Sequence, residues 1–179
     1  MSMRKYGTIP SLFWDDPKIN LLEIPSKYLA LYLRTNNHSN MIHLYRINRD
    51  YALSDTGLTS EQYDSAIIEL ETIGYCHFDH EENMVWLREA MIFDMGYKLN
   101  PKDKRVKGLK SLINLIPECR LKSHFLLEFN KDYRLGMKPP SSPLVRGLEV
   151  RKGKEQSKRL LGVTRSPLQN VHNLPEKKA

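Results

Sequence analysis

Between positions 59 and 74 the apolar residues Tyr63, Ala66, Ile67, Leu70 and Ile73 recur at the three- and four-residue spacing of a single helix face. Both ends of this helix are written into the chain. Thr59 stands three residues before Gln62, the spacing of a capping box in which each side chain satisfies the other residue's free amide, and Gly74 supplies the left-handed stop. A helix with one apolar stripe has to bury it against neighbouring elements. Directly after it, residues 75–78 and 84–87 read as two β-prone runs joined by the polar stretch 79–83, a hairpin. The most regular helix of the chain is thus followed at once by a pair of strands.

The elements before it complete a pattern. Leu21, Leu22, Ile24, Tyr28, Leu29, Leu31, Tyr32 and Leu33 form a dense apolar block behind a Pro25-Ser26 helix start, which predicts a helix buried on most sides. The polar cluster 36–40 is a turn, Leu44, Tyr45 and Ile47 mark a short strand, and a short helix over 49–54 is broken by Asp55-Thr56-Gly57. Helix, strand, helix, Gly-containing turn, helix and hairpin is the element order of a winged helix-turn-helix, an α+β fold. Beyond it, a helix from Asn100-Pro101 to Ile116 is expected to bury Val106, Leu109, Leu112, Ile113 and Ile116. Its other face shows Lys104, Lys107 and Lys110, with Lys102 and Arg105 at the edges. A further helix over 118–133 stacks Leu121, Phe125 and Phe129, widened by Leu126 and Tyr133, and pairs with it as a C-terminal helical hairpin. No aromatic residue follows Tyr133, and the composition of 136–179 predicts a Pro/Gly-containing linker and a basic disordered tail. The expected divisions are 1–97, 98–135 and 136–179.

Charge separates along the same line. Residues 1–97 hold 8 basic and 14 acidic side chains, whereas residues 98–179 hold 20 and 7, within a chain of net charge +7. A cationic half on an anionic half points to a polyanionic partner, nucleic acid above all. The longest apolar run, 28–33, is far short of a membrane span, which takes about 20 residues, and no apolar stretch follows the basic N-terminus as a secretory signal requires. A cytoplasmic protein with no membrane partner is expected, and Cys76 and Cys119 read as free, half-buried thiols.

Several strings resemble the N-terminal region of phage replication-initiation proteins, the replisome organisers related to DnaD-like primosomal proteins. They are Arg4-Lys5-Tyr6-Gly7-Thr8-Ile9-Pro10, Phe13-Trp14-Asp15-Asp16-Pro17, His38-Ser39-Asn40-Met41, Leu44-Tyr45-Arg46, Gly57-Leu58-Thr59, Glu69-Leu70-Glu71, Val85-Trp86 and Asn100-Pro101-Lys102. The likeness runs over about residues 3–135. It implies a winged-helix domain that binds double-stranded DNA at a phage origin in a bacterial host, and a C-terminal region that recruits a helicase loader or other replication protein.

The residues themselves divide the expected sites. Phosphate contacts are expected from Lys102, Lys104, Arg105, Lys107 and Lys110, from Arg151 and Lys152 in the tail, and from Arg46 and Arg49 beside the second helix. Ser60, Gln62 and Ser65 sit where a recognition helix would reach bases. That helix, however, carries Glu61, Asp64, Glu69 and Glu71 and no Lys or Arg, so Glu61, Asp64, Ile68 and Thr72 form a candidate protein-facing stripe. The alternative function is therefore a phage-encoded interaction protein that keeps the fold and inhibits a host defence or replication complex, and self-association is a further expectation. No phosphate-cradling Gly-Lys-Ser/Thr loop, nucleophile elbow or His-Glu-x-x-His helix occurs; of Cys76, His77 and His80, the adjacent strand residues point to opposite faces and no second Cys/His cluster completes a tetrahedral set. A non-enzymatic chain with no cofactor and no metal is expected.

Overall fold

The computed structural model describes residues 6–100 and 102–138, so Arg151, Lys152 and nearly all of the expected linker and tail lie outside the described residues. Within them the chain is α+β. The helices are α1 (Pro17–Asn20), α2 (Ile24–Thr35), α3 (Arg49–Thr56), α4 (Ser60–Thr72), α5 (Arg88–Met95), α6 (Arg105–Leu115) and α7 (Arg120–Phe129). A short 3-10 turn, Ser11–Phe13, precedes them. The strands β1 (Leu44–Arg46), β2 (His77–Asp79) and β3 (Met84–Trp86) form an antiparallel sheet in the order β1-β3-β2.

The local chemistry read from the sequence closes α4. Thr59 N–H donates to Gln62 Oε1 at 2.9 Å and Gln62 N–H to Thr59 Oγ1 at 3.2 Å, the reciprocal capping box. Gly57 ends α3 at φ 68°, a backbone angle that costs a residue with Cβ, and its N–H donates to Leu53 O. The sheet then sorts the core by strand alternation. Tyr45, Val85 and Phe78 lie across from one another and face α2, α3 and α4, joining Leu29, Leu33, Tyr63, Ala66, Ile67 and Leu70. One position along, Leu44 and Trp86 point the other way, into a second core built from Met91, Leu109, Ile113, Leu121, Phe125 and Phe129. The sheet is thus the middle layer of three, with α2–α4 on one side and α5–α7 on the other.

That second layer differs from the sequence expectation in three ways. Helix α5 occupies residues for which no element was expected; Ala90, Met91, Ile92 and Met95 bury its face directly after β3. Helix α6 begins at Arg105, not at Asn100, because side chains capture the chain first: Asn100 Oδ1 accepts from Lys102 N–H and Asp103 Oδ1 from Arg105 N–H. Helix α7 stops at Phe129, and residues 131–134 turn back under it. Helix α2 is buried on most sides, as expected, apart from one flank where Ile24 is 79% exposed and Tyr28 is also open. Cys76 and Cys119 are both free and fully buried rather than half-buried.

The seam between β2 and α7 contains two histidines. His77 and His124 meet edge to face at 6.0 Å, and the perpendicular Trp86 ring lies 5.4 Å from His124. Burial is the main force holding both imidazoles below their ordinary pKa; Arg88 adds to it at both, the facing imidazole at His77 and Arg120 at His124, while Glu128 opposes at both and Glu71 at His77. A depressed histidine pKa means that the unfolded chain takes up protons first. The stability these groups contribute is present in full above about pH 6.5, the unfolded value, and is lost as pH falls through the folded values. Urea midpoints are therefore expected to fall between pH 7.5 and 5, and His77→Gln with His124→Gln should flatten that dependence.

Candidate nucleic-acid interface

The expected contacts on the first layer are placed on α3, α4 and β1, and their cations are already engaged. Arg49, at the start of α3, donates to Asp64 on α4 through Nη2 at 2.7 Å and Nε at 3.2 Å, reaches Ser60 O at 3.3 Å and covers the Tyr63 ring. Asp64 holds the Arg49 pKa above its usual value. Arg46 Nη2 donates to Glu82 on the hairpin turn at 3.1 Å. What remains open on α4 is acidic and apolar. Ile68 is 65% exposed, and Glu61, Gln62, Asp64, Ser65 and Thr72 are exposed around it. The Glu61 carboxyl is held below its usual range by its own backbone amide in the first turn of α4 and by the Thr59 hydroxyl. Ser60 is only partly exposed, and its carbonyl is bound by Arg49.

The second layer has the opposite character. Lys104, Lys107 and Lys110 line a shallow open groove along α6 with Val106 and Asp103, and all three ammonium groups face solvent. The ammonium groups of Lys102, Lys104, Lys107 and Lys110 make no hydrogen bond or ion pair among the described residues. Arg105 is different. Its guanidinium closes on Asp103 through three hydrogen bonds, at 3.1, 3.1 and 2.7 Å, and lowers the Asp103 carboxyl pKa. The effective cations are the four lysines, spaced so that one straight polyanion can meet three of them in successive turns.

The placement of the two groups matters more than their charge. Helix α4 packs on the face of the sheet that holds Tyr45, Val85 and Phe78, and α6 packs on the face that holds Leu44 and Trp86. Ser60, Gln62 and Ser65 therefore stand on the opposite side of the sheet from Lys104, Lys107 and Lys110. The hairpin lies between, with α7 against its far face, where Arg120 Nη2 donates to Phe78 O at 2.9 Å.

A third cluster has the residue types of a hydrolytic triad. Ser39 Oγ is 3.2 Å from His43 Nδ1, and His43 Nε2 is 2.8 Å from Asp94 Oδ2. Its surroundings are those of a structural tie. Ser39 and His43 are buried, and Asp94 also takes the buried Arg34 at 2.9 Å. Among the described residues no group of three or more His, Cys, Asp or Glu side chains is placed to hold a metal ion, and no helix is long and apolar enough to cross a membrane. Lys131 and Arg134, which the sequence reading passed over, flank a second surface hollow beside α7. Their signal was two cations three residues apart directly after an apolar stripe. Comparison with known protein families, curated proteins and solved structures gives no match.

Proposed function

We propose that this chain is a non-enzymatic, winged-helix DNA-binding protein of phage replication initiation, acting in the bacterial cytoplasm on double-stranded origin DNA through α6. The observation that carries the reading is the row of lysines without a side-chain partner among the described residues, Lys104, Lys107 and Lys110, while Arg46 and Arg49 are held by Glu82 and Asp64. Support for the winged-helix assignment comes from the order α2, β1, α3, α4, β2, β3 and from the sheet order β1-β3-β2. The link to replication rests on the resemblance in the N-terminal strings and the Asn100-Pro101-Lys102 segment. Phosphates would be met by a helix behind the sheet, and α4 would be left to other work.

Each lysine that neutralises a phosphate releases condensed counterions, so affinity must fall steeply with salt. Changing Lys104, Lys107 and Lys110 together to alanine is expected to reduce the slope of log K against log salt by about 2.7, at about 0.9 per contact. Fluorescence anisotropy on a labelled duplex across a salt series measures this, and an unchanged slope would remove α6 from the interface.

One observation favours a second reading. Ile68 stands exposed among Glu61, Asp64 and Thr72 on the layer away from the lysines. A phage interaction protein that docks a basic host factor, such as a helicase loader or a defence component, would use this face. Pull-down from host lysate after nuclease treatment separates the two: a stoichiometric protein lost on Ile68→Lys supports the second reading.

A further inference from the structure

We infer that the hollow beside α7 is a docking site for an acidic peptide segment with an apolar anchor, supplied by a protein partner. It is an open depression of about 480 Å³ lined by Leu126, Leu127, Asn130, Lys131, Arg134 and Gly136. Leu127 is 54% exposed and places an open apolar side chain beside the two cations. Neither Lys131 nor Arg134 has a side-chain partner among the described residues.

The turn that presents these cations is built, not loose. Asn130 clasps the returning chain from both sides: its Nδ2 donates to Met137 O at 2.6 Å, and its Oδ1 accepts from Met137 N–H at 3.1 Å. Leu135 N–H donates to Asn130 O at 2.9 Å, and Tyr133, fully buried, donates its hydroxyl to Gly96 O at 2.7 Å. Within this frame Arg134 itself adopts φ 55°, a left-handed conformation unfavourable for a residue with Cβ. The held backbone sets the point from which the exposed Arg134 side chain leaves the turn at the rim of the hollow.

The composition of the hollow selects the ligand class. Two cations over a leucine floor match carboxylates flanking an aliphatic or aromatic side chain, the pattern of acidic-motif recognition. Nucleic acid fits less well. A phosphate backbone has no apolar group to cover Leu127, and bases stack on aromatic rings, none of which lines the hollow. Nor do Lys131 and Arg134 line the α6 groove, so the inference stands independently of the DNA reading.

The test uses the full chain and a fluorescein-labelled peptide of alternating Glu and Leu, with Gln-for-Glu and Ser-for-Leu versions as controls. Binding is expected for the first peptide and at least about tenfold weaker for either control. It should fall by a similar factor in Lys131→Ala with Arg134→Ala and in Leu127→Ser, and persist in Lys104→Ala with Lys107→Ala. Thermal melts of these exposed-site variants check that the fold is retained. No binding of the acidic peptide to the wild-type chain, or equal binding after Lys131 and Arg134 are replaced, overturns the inference. If replacing them weakens duplex binding and leaves the peptide unaffected, the hollow belongs to a phosphate backbone instead.

Discussion

Replacing Trp86 by alanine will destabilise the folded unit by about 3–5 kcal/mol, the range for emptying a buried aromatic site. Trp86 is fully buried at the end of β3, the middle strand, and its indole meets Phe125 at 5.9 Å, Phe129 at 6.2 Å and His124 at 5.4 Å, all from α7. Among the described residues no other side chain joins the sheet to that helix through as many rings. The loss should show as a drop in urea midpoint, with the α7 layer losing amide protection before α2–α4 do. Trp86→Phe makes the argument sharper. The indole Nε1 finds no hydrogen-bond partner among the described residues, so phenylalanine gives up volume but also removes a buried donor. Its cost should be well below that of alanine.

Asp94→Ala is expected to cost about 3 kcal/mol or more, through a different mechanism. The carboxylate receives Arg34 on one oxygen at 2.9 Å and His43 on the other at 2.8 Å, and both partners are almost wholly buried. Arg34 further ties the N-terminal segment by donating to Thr8 O at 2.7 Å. Removing Asp94 strands a guanidinium in the interior, which costs more than the pair itself contributes. Asp94→Asn keeps an acceptor and should be milder. A larger loss for asparagine than for alanine, read from chemical denaturation, would contradict this account of the tie.

What could be read from the chain was local. The capping box at Thr59 and Gln62, the stripe of α4 and the glycine stop at Gly57 all depend on residues within one or two turns of each other. The ion pairs that decide the interface are not local. Arg49 meets Asp64 across two helices and Arg46 meets Glu82 across the sheet, so both cations read as free in sequence although both are engaged. Arg105 and Asp103 lie two residues apart, and their pairing was there to be found. Helix α5 was hidden because its apolar residues begin immediately after a strand of the same character. The two-sided sheet was hidden too, since Met84, Val85 and Trp86 are all buried and show no alternation to mark an open face.

The three-layer arrangement gives the protein two faces of opposite sign, α4 acidic on one side of the sheet and α6 basic on the other. A single duplex lying along α6 cannot also lie along α4. The proposed division of labour therefore has DNA on the lysine row and protein partners elsewhere, with Ile68 and the α7 hollow as the two places to look.

The direct measurement is duplex affinity across a salt series for three chains: wild type, the α6 variant (Lys104→Ala, Lys107→Ala, Lys110→Ala) and an α4 variant (Ser60→Ala, Gln62→Ala, Ser65→Ala). The account predicts that the α6 variant loses both affinity and salt slope while the α4 variant matches wild type. Loss confined to the α4 variant, with the α6 variant unchanged, would contradict it.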